Sequence, residues 1–206
     1  RGKKNASTAE NVEQGNVLRH GNVYGTADAL TLIKVKLYRI TFTKKEARAM
    51  KVLITGGCGF IGSHLAEVLV NQGASVTIYD NLTSGFMENI SGFRNQVELV
   101  KADIRDITSL TTAMRGMDYV LHEAALVSVF DSVERPADNH EINITGSLNV
   151  LRAARENGVR RVVFAGSAAA YGNEPTLPKE EAFRPDPESP YAVAKVAAEY
   201  YCSVFA

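Results

Sequence analysis

The chain has 206 residues, of which 45% are hydrophobic and 22% charged, a composition that is typical of a folded α/β domain and excludes general disorder. Its 23 Lys and Arg residues balance 23 Asp and Glu residues, so no overall basic charge favours nucleic acid as a partner. No apolar run approaches the roughly 18 residues of a membrane span and no secretory signal is evident, which predicts a cytoplasmic protein without a membrane partner. The cysteines, Cys58 and Cys202, lack metal-ligand spacing, so the sequence predicts neither a disulfide nor a metal site.

The charge is divided unevenly at Met50, because residues 1–49 carry a net charge of +6 and residues 50–206 carry −6. Alternating apolar residues at positions 30–43 predict one strand, which has no evident partner in the sequence. We expect residues 1–49 to lie outside the functional fold, as translated upstream sequence or a cloning artefact. A genuine basic extension is the alternative.

From Met50 onward, short apolar runs alternate with segments of helical periodicity, which predicts βαβ units in a Rossmann-type, doubly wound α/β fold. The predicted strands cover residues 51–55, 75–80, 97–100, 118–122 and 161–167. The first predicted helix follows the glycines after Thr55 and is capped by Gly73, and later helices cover residues 107–115, 141–158 and 191–206. Residues 50–206 are therefore predicted to form one domain.

The stretch "TGGCGFIGSH" places Gly56, Gly59 and Gly62 between the first strand and the first helix. Glycines at this spacing permit a tight turn, close approach of backbone to a pyrophosphate, and close packing of helix on strand. Phe60 and Ile61 are the expected backbone donors at the positive end of the helix. Glycines also mark plain turns, but the flanking strand and helix favour a dinucleotide site.

The second predicted strand ends at Asp80, followed by Asn81, where dinucleotide-binding folds hold the ribose. The Asp80 carboxylate can accept hydrogen bonds from a ribose diol and would repel a 2′-phosphate, which favours NAD over NADP. A simple turn at the end of a strand is the alternative interpretation.

Tyr191 and Lys195 lie one turn apart on a helix that Ser189 and Pro190 begin. A neighbouring ammonium favours the phenolate form of a tyrosine, and this lowers the phenol pKa towards the range of a general base. A Tyr and a Lys at this spacing are also common on surface helices, so the pair alone does not establish an active site.

Seven motifs in order, "TGGCGFIGSH", "YDNLTSG", "KADIRD", "HEAA", "NITGSLNVL", "GSAAAYG" and "YAVAK", resemble the extended short-chain dehydrogenase/reductase family, which includes the NAD-dependent epimerases and dehydratases. The resemblance covers residues 50–206 and is strongest to the nucleotide-sugar 4-epimerases. In these proteins the first strand lies at the N-terminus, so the resemblance implies that Met50 is the natural start.

The resemblance implies a role for each matching residue. Asp103 and Ile104 would contact the adenine, Ala124 and Ala125 would line the cofactor, and Asn143 would steady the site. Ser167 would accompany Tyr191 and Lys195 in catalysis and contact the substrate, and Ser128 is a second possible substrate contact. Outside the family pattern, Asp103 could merely end a strand and Asn143 could be a solvated helix residue. His122 is expected to be a packed residue at the end of a strand.

Ala168 and Ala169 favour one reaction among those of the family. Sugar dehydratases of this family carry an Asp-Glu pair directly after the catalytic hydroxyl, and related decarboxylases usually keep the glutamate. Here both positions are alanine, which favours epimerisation of a UDP-hexose or UDP-N-acetylhexosamine through a 4-keto intermediate with NAD. A non-catalytic NAD-binding module, a sugar dehydratase or decarboxylase, and a simple carbonyl reductase are the alternatives.

The family continues beyond the position of Ala206 into a smaller lobe that binds the nucleotide of the sugar. We therefore expect the chain to be an incomplete epimerase that lacks this C-terminal lobe and is inactive by itself. The complete protein is expected to be a homodimer, as is common in the family.

Overall fold

A computed structural model describes residues 49–206 of the chain, and the strand predicted at residues 30–43 lies outside this part. The apolar runs form five strands: β1 (Lys51–Thr55), β2 (Ser75–Asp80), β3 (Val97–Lys101), β4 (Tyr119–His122) and β5 (Arg161–Phe164). All pairings are parallel and the order is β3-β2-β1-β4-β5. This confirms the predicted doubly wound sheet. The order reverses on either side of β1, and in open α/β sheets ligands bind outside the carboxyl ends of the strands at such a point.

Six α-helices connect and cover the strands: α1 (Phe60–Gln72), α2 (Ile107–Ala113), α3 (Val129–Glu134), α4 (Pro136–His140), α5 (Ser147–Glu156) and α6 (Pro190–Phe205). A π-helical turn at Glu141–Gly146 joins α4 to α5. Segments of 3₁₀ helix cover Met87–Gln96 and Ala168–Tyr171. Among the helices of residues 49–206, none combines the length and apolar character that a membrane crossing requires.

Two predicted elements differ most from the structure in their bounds, and one segment was not predicted. The helix predicted at residues 141–158 begins earlier, at Pro136, and contains the π-helical turn before it ends at Glu156. The strand predicted at residues 161–167 ends at Phe164, because Ser167 accepts the Ala169 N–H and starts a 3₁₀ turn. The 3₁₀ segment at Met87–Gln96 was not predicted, since its apolar residues have no regular period.

Alternate side chains of the strands enter two separate cores, one on each face of the sheet. On one face, Val52 and Ile54 of β1 pack with Leu65 of α1. On the other face, Leu53 packs with Val150 of α5. Burial on both faces explains why the strands read as nearly continuous apolar runs.

Local sequence signals determine where α1 ends and where α6 begins. Gly73 ends α1 with a left-handed φ of 92°, as its position in the sequence predicted. Ser189 caps α6 by accepting the Ala192 N–H, and Pro190 occupies the first turn, where its missing N–H has no cost. These caps fix where α6 begins, and therefore where Tyr191 lies.

Candidate active site

The glycine loop between β1 and α1 is packed too closely for side chains at two of its glycines. Gly56 has a φ of +68°, and a Cβ there would lie 2.6 Å from the backbone nitrogen of Ala124. A Cβ on Gly62 would overlap the carbonyl oxygen of Gly56. The loop therefore brings the start of α1 directly against the carboxyl ends of β1 and β4.

The amino end of α1 is suited to an anion. Gly59 precedes the helix with an extended backbone, and α1 has neither a side-chain cap nor an acidic residue in its first turn. A Cβ at Gly59 would approach only the Gly56 carbonyl oxygen, at 3.2 Å, so the space above the loop is open. The first N–H groups of the helix, at Phe60 and Ile61, are thus available to phosphate oxygens, and the residues present fit a pyrophosphate.

Asp80 ties this loop to the end of β2. Its side chain is buried, and its two carboxylate oxygens accept the Cys58 N–H at 2.9 Å and the Leu82 N–H at 2.8 Å. Each carboxylate oxygen retains capacity for a further hydrogen bond. Asp80 therefore holds the loop in place and remains able to accept hydroxyl groups of a ribose.

Cys58 is a packing residue within the same loop. Its side chain is fully buried, and burial, assisted by the Asp80 carboxylate, raises the pKa of its thiol to about 11. A thiol in this state is a poor nucleophile.

The predicted adenine-side residues form a cluster beyond Asp80. Asn81 donates to Asp103 at 2.9 Å, and Arg105 binds both carboxylate oxygens of Asp103 at 2.9 and 2.8 Å. The Arg105 hydrogen bonds hold the pKa of Asp103 well below its ordinary range, so Asp103 is an ionised acceptor. Ile104 is buried, and its side chain would lie 2.6 Å from a Cβ on Gly146. Arg105 was missed by the sequence analysis, although its position two residues after Asp103 was a usable signal.

Lys195, one member of the catalytic pair predicted on α6, faces the end of β5. Lys195 is 6% exposed, its Nζ donates to the Ala165 carbonyl at 3.0 Å, and it lies 5.8 Å from the centroid of the Tyr191 ring. Burial lowers the pKa of Lys195 to about 8, while the neighbouring Glu123 carboxylate acts in the opposite direction. The structure therefore places a buried ammonium next to the Tyr191 phenol.

The two predicted substrate serines have local structural roles. Ser167 Oγ accepts the Ala169 N–H at 3.2 Å, and Ser128 Oγ caps α3 by accepting the Asp131 N–H at 3.0 Å. Within residues 49–206, no hydrogen bond joins Ser167 to the Tyr191 hydroxyl. Ser167 nevertheless begins the turn that follows β5, three residues after Phe164. The centroid of the Phe164 ring lies 4.8 Å from Lys195 Nζ.

Asn143 connects the segment after β4 with the π-helical turn. Its Oδ1 accepts the Leu126 N–H at 2.8 Å, and its Nδ2 donates to the Leu126 carbonyl at 2.9 Å. The Nδ2 group also donates to Asn139 Oδ1 at 2.7 Å. The Asn143 side chain thus pairs with both backbone groups of Leu126, as the backbone of a neighbouring strand would, and so holds the segment that also contains Ala124 and Ala125.

Two further residues that hold α6 were missed by the sequence analysis. Asn139 donates to the Pro190 carbonyl at 2.9 Å, and Ser132 accepts the Tyr191 N–H at 3.1 Å. Both side chains are buried. The spacing of four residues between Asn139 and Asn143 was the one signal in the sequence, but it did not indicate a partner on α6.

Residues 52–206 match the sequence pattern of the NAD dependent epimerase/dehydratase family. The UDP-glucose 4-epimerase of Mycolicibacterium smegmatis is 39% identical over 161 residues, which are 76% of this chain and 51% of that protein. The chain spans about half the length of the curated relatives it matches.

Solved structures show the same relation. The UDP-N-acetylglucosamine 4-epimerase from Methanobrevibacter ruminantium, in complex with UDP-N-acetylmuramic acid, is 39% identical with a TM-score of 0.72, and 76% of this chain covers 50% of that chain. The UDP-glucose 4-epimerase of Thermus thermophilus, in complex with NAD, is 42% identical with a TM-score of 0.69, again with 76% and 50% coverage. The glycine loop, the buried lysine beside Tyr191 and a match across most of the chain agree, and the chain belongs to the NAD-dependent epimerase/dehydratase family.

Proposed function

We propose that the protein is an NAD-dependent nucleotide-sugar 4-epimerase that acts on a UDP-hexose or UDP-N-acetylhexosamine. The observation that carries this proposal is the position of Lys195, buried on α6 with its Nζ 5.8 Å from the Tyr191 ring, at the sheet edge that also holds the glycine loop. The relatives named as UDP-sugar 4-epimerases support the substrate class.

In the proposed reaction, Tyr191 takes the proton of the sugar 4-hydroxyl as the hydride leaves C4. Lys195 stabilises the phenolate, and Ser167 accompanies the transferred proton. Bound NAD supplies the hydride acceptor and then the hydride donor, so none is consumed. The 4-keto sugar rotates in the site, so that the hydride would return to the other face of C4. Tyr191 returns the proton to the oxygen, and the product has the opposite configuration at C4.

Epimerisation suits the residues after Ser167 better than dehydration does. Elimination of water requires an acid and a base beside the sugar, whereas the turn after β5 presents Ala168 and Ala169, neither of which can transfer a proton. Tyr191 and Ser167 supply the hydroxyl groups that the proposed proton transfer uses. Oxidation followed by reduction at one carbon requires no additional acid or base.

The test measures C4 epimerisation of UDP-glucose and UDP-N-acetylglucosamine in a coupled assay, with the full-length gene product. We expect activity without net NAD consumption, and Tyr191→Phe should lower kcat by at least ~10³-fold because it removes the proton acceptor. Tyr200→Phe is the matched control, since Tyr200 lies on the same helix and is 61% exposed. We expect the control to retain activity.

Two outcomes separate the alternatives. Full activity in Tyr191→Phe would refute the assignment of the base. NAD binding without turnover of any UDP-sugar would favour a binding module instead. The 206 residues span about half the length of these relatives, so we expect no measurable turnover from them alone if the other half supplies the binding energy that positions the sugar.

A further inference from the structure

His122, at the end of β4, is a buried histidine with hydrogen bonds on both sides of its ring. Nδ1 lies 2.7 Å from Thr55 Oγ1, and Nε2 lies 2.9 Å from Ser147 Oγ. His122 is 2% exposed and Thr55 and Ser147 are equally inaccessible. The three side chains come from β4, β1 and the start of α5, so they join elements on both sides of the site.

The directions of the hydrogen bonds in this group follow from one acceptor and from the neutral state of the His122 ring. The Asn143 carbonyl can only accept, and Ser147 Oγ lies 2.7 Å from it, so the single hydroxyl proton of Ser147 is donated there. Ser147 Oγ must therefore accept from His122, which places a proton on Nε2. Burial, together with the nearby charge of Lys195, lowers the pKa of His122 to about 3, so the ring is neutral and Nδ1 is an acceptor.

The chain of donors continues to the cofactor side. Because His122 Nδ1 accepts, Thr55 Oγ1 donates its proton to the ring and is free to accept from elsewhere. It accepts the Ala124 N–H, at 3.3 Å. Each group thus donates to the next, from the Ala124 N–H through Thr55, His122 and Ser147 to the Asn143 carbonyl, which accepts the last hydrogen bond.

We propose that His122 is a positioning residue, a neutral relay protonated on Nε2 that sets the Ala124–Leu126 backbone of the cofactor site relative to the π-helical turn and the catalytic helix. The Asn143 side chain completes the connection, because it holds Leu126 and, through Asn139, the Pro190 carbonyl that precedes Tyr191. The inference rests on the proposed function only in taking this sheet edge as the NAD site.

The first arm of the test needs no cofactor. Nitrogen-15 NMR of the labelled chain should show His122 as a neutral ring protonated on Nε2, and hydrogen exchange should show a protected Ala124 N–H. Thr55→Val should speed exchange of the Ala124 N–H by about five- to tenfold, the effect of losing one buried hydrogen bond. Thr77→Val is the matched control, because Thr77 is a buried strand threonine whose hydroxyl bonds Glu98 instead.

Two substitutions of His122 separate the role of its ring nitrogens from the role of the ring's shape. His122→Asn places an amide oxygen where Nδ1 lies and should keep Ala124 exchange within about twofold of the unmutated chain. His122→Phe keeps a ring without either nitrogen and should speed exchange as Thr55→Val does. If His122→Phe fails to fold, Thr55→Val and Ser147→Ala give the same comparison.

The second arm measures NADH affinity and the emission spectrum of bound NADH. We expect Thr55→Val to weaken affinity about fivefold and shift the emission, while Thr77→Val changes neither. A ring protonated on Nδ1, or unchanged exchange in Thr55→Val, would overturn the relay. A relay seen by NMR and exchange in a chain that binds no NADH would leave the relay standing and refute the cofactor site.

Discussion

The two sides of the candidate site are built in different ways. On the β1–β2 side, the backbone of the glycine loop forms the binding surface, and the supporting contact between Cys58 and Asp80 spans 22 residues of sequence. On the β4–α6 side, buried polar side chains hold the segments that form the surface, and the contacts from Asn139 and Ser132 to the start of α6 span 51 and 59 residues. The first side depends on the absence of side chains, and the second depends on their exact chemistry.

The largest expected effect on stability comes from adding one methyl group to the glycine loop of the β1–β2 side. Gly62→Ala places a Cβ on the Gly56 carbonyl and should lower the free energy of unfolding by about 3 kcal/mol, measured by urea denaturation. Gly59→Ala meets only one atom, at 3.2 Å, so it should cost less than ~1 kcal/mol and yet weaken NAD binding at least ~10-fold. Equal destabilisation by both substitutions would contradict this separation of folding from binding.

A polar substitution tests the other side. Asn143→Leu removes three hydrogen bonds of a buried side chain and leaves the polar groups of Leu126 unpaired, so we expect a loss of about 2 kcal/mol in unfolding free energy. In the full-length gene product we expect it to remove most of the proposed epimerase activity. Asn157→Leu is the control. Asn157 lies just after α5, the helix that follows the π-helical turn of Asn143, and it donates to the Thr111 and Ala153 carbonyls far from the site. The control should lose stability but not activity per folded molecule.

Acid should weaken the β4–α6 side through His122. Its pKa is about 3 when folded and about 6.5 when unfolded, so the unfolded state binds more protons between these values and stability falls as pH falls from 6.5. We expect His122 to contribute a slope that approaches ~1.4 kcal/mol per pH unit well below pH 6.5, and His122→Asn should remove this contribution. Measurements between pH 4 and 6.5 stay above the range in which Asp103 loses its charge. His64→Asn, at an exposed histidine of α1, should keep the slope.

The smallest expected effect concerns cofactor choice on the β1–β2 side. NAD should bind more tightly than NADP because Asp80 presents a carboxylate to the ribose, and Asp80→Ala should narrow the ratio of the two affinities about fivefold. Because Asp80 also stabilises the loop, Asp80→Ala should weaken the binding of both cofactors. The ratio of the two affinities removes this shared loss and reports the choice of cofactor. Asp118→Ala is the control, since Asp118 also accepts a backbone N–H, that of Lys51, at the opposite end of the sheet. Equal affinities in the unmutated chain would refute the argument.

The same contrast explains what the sequence could predict. Strand periodicity, the glycine spacing and the cap at Gly73 are local signals, and they predicted the sheet, the loop and α1. The position of Tyr191 beside Lys195 followed from helical spacing. The contacts of Asn139, Ser132 and His122 could not be predicted, because a buried polar side chain takes whichever partner tertiary packing brings to it. Even the expectation for His122, a packed residue at a strand end, gave its burial and not its two hydrogen-bonding partners.

The central position of β1 has a practical consequence for handling the protein. The strand begins at Lys51 and runs five residues to Thr55, so the polypeptide enters the described part about 17 Å from the glycine loop, at the opposite edge of the sheet. Attachment to a sensor surface through the exposed Lys51 therefore directs the candidate NAD edge away from that surface. Immobilisation in this orientation leaves the cofactor side open to ligand in flow.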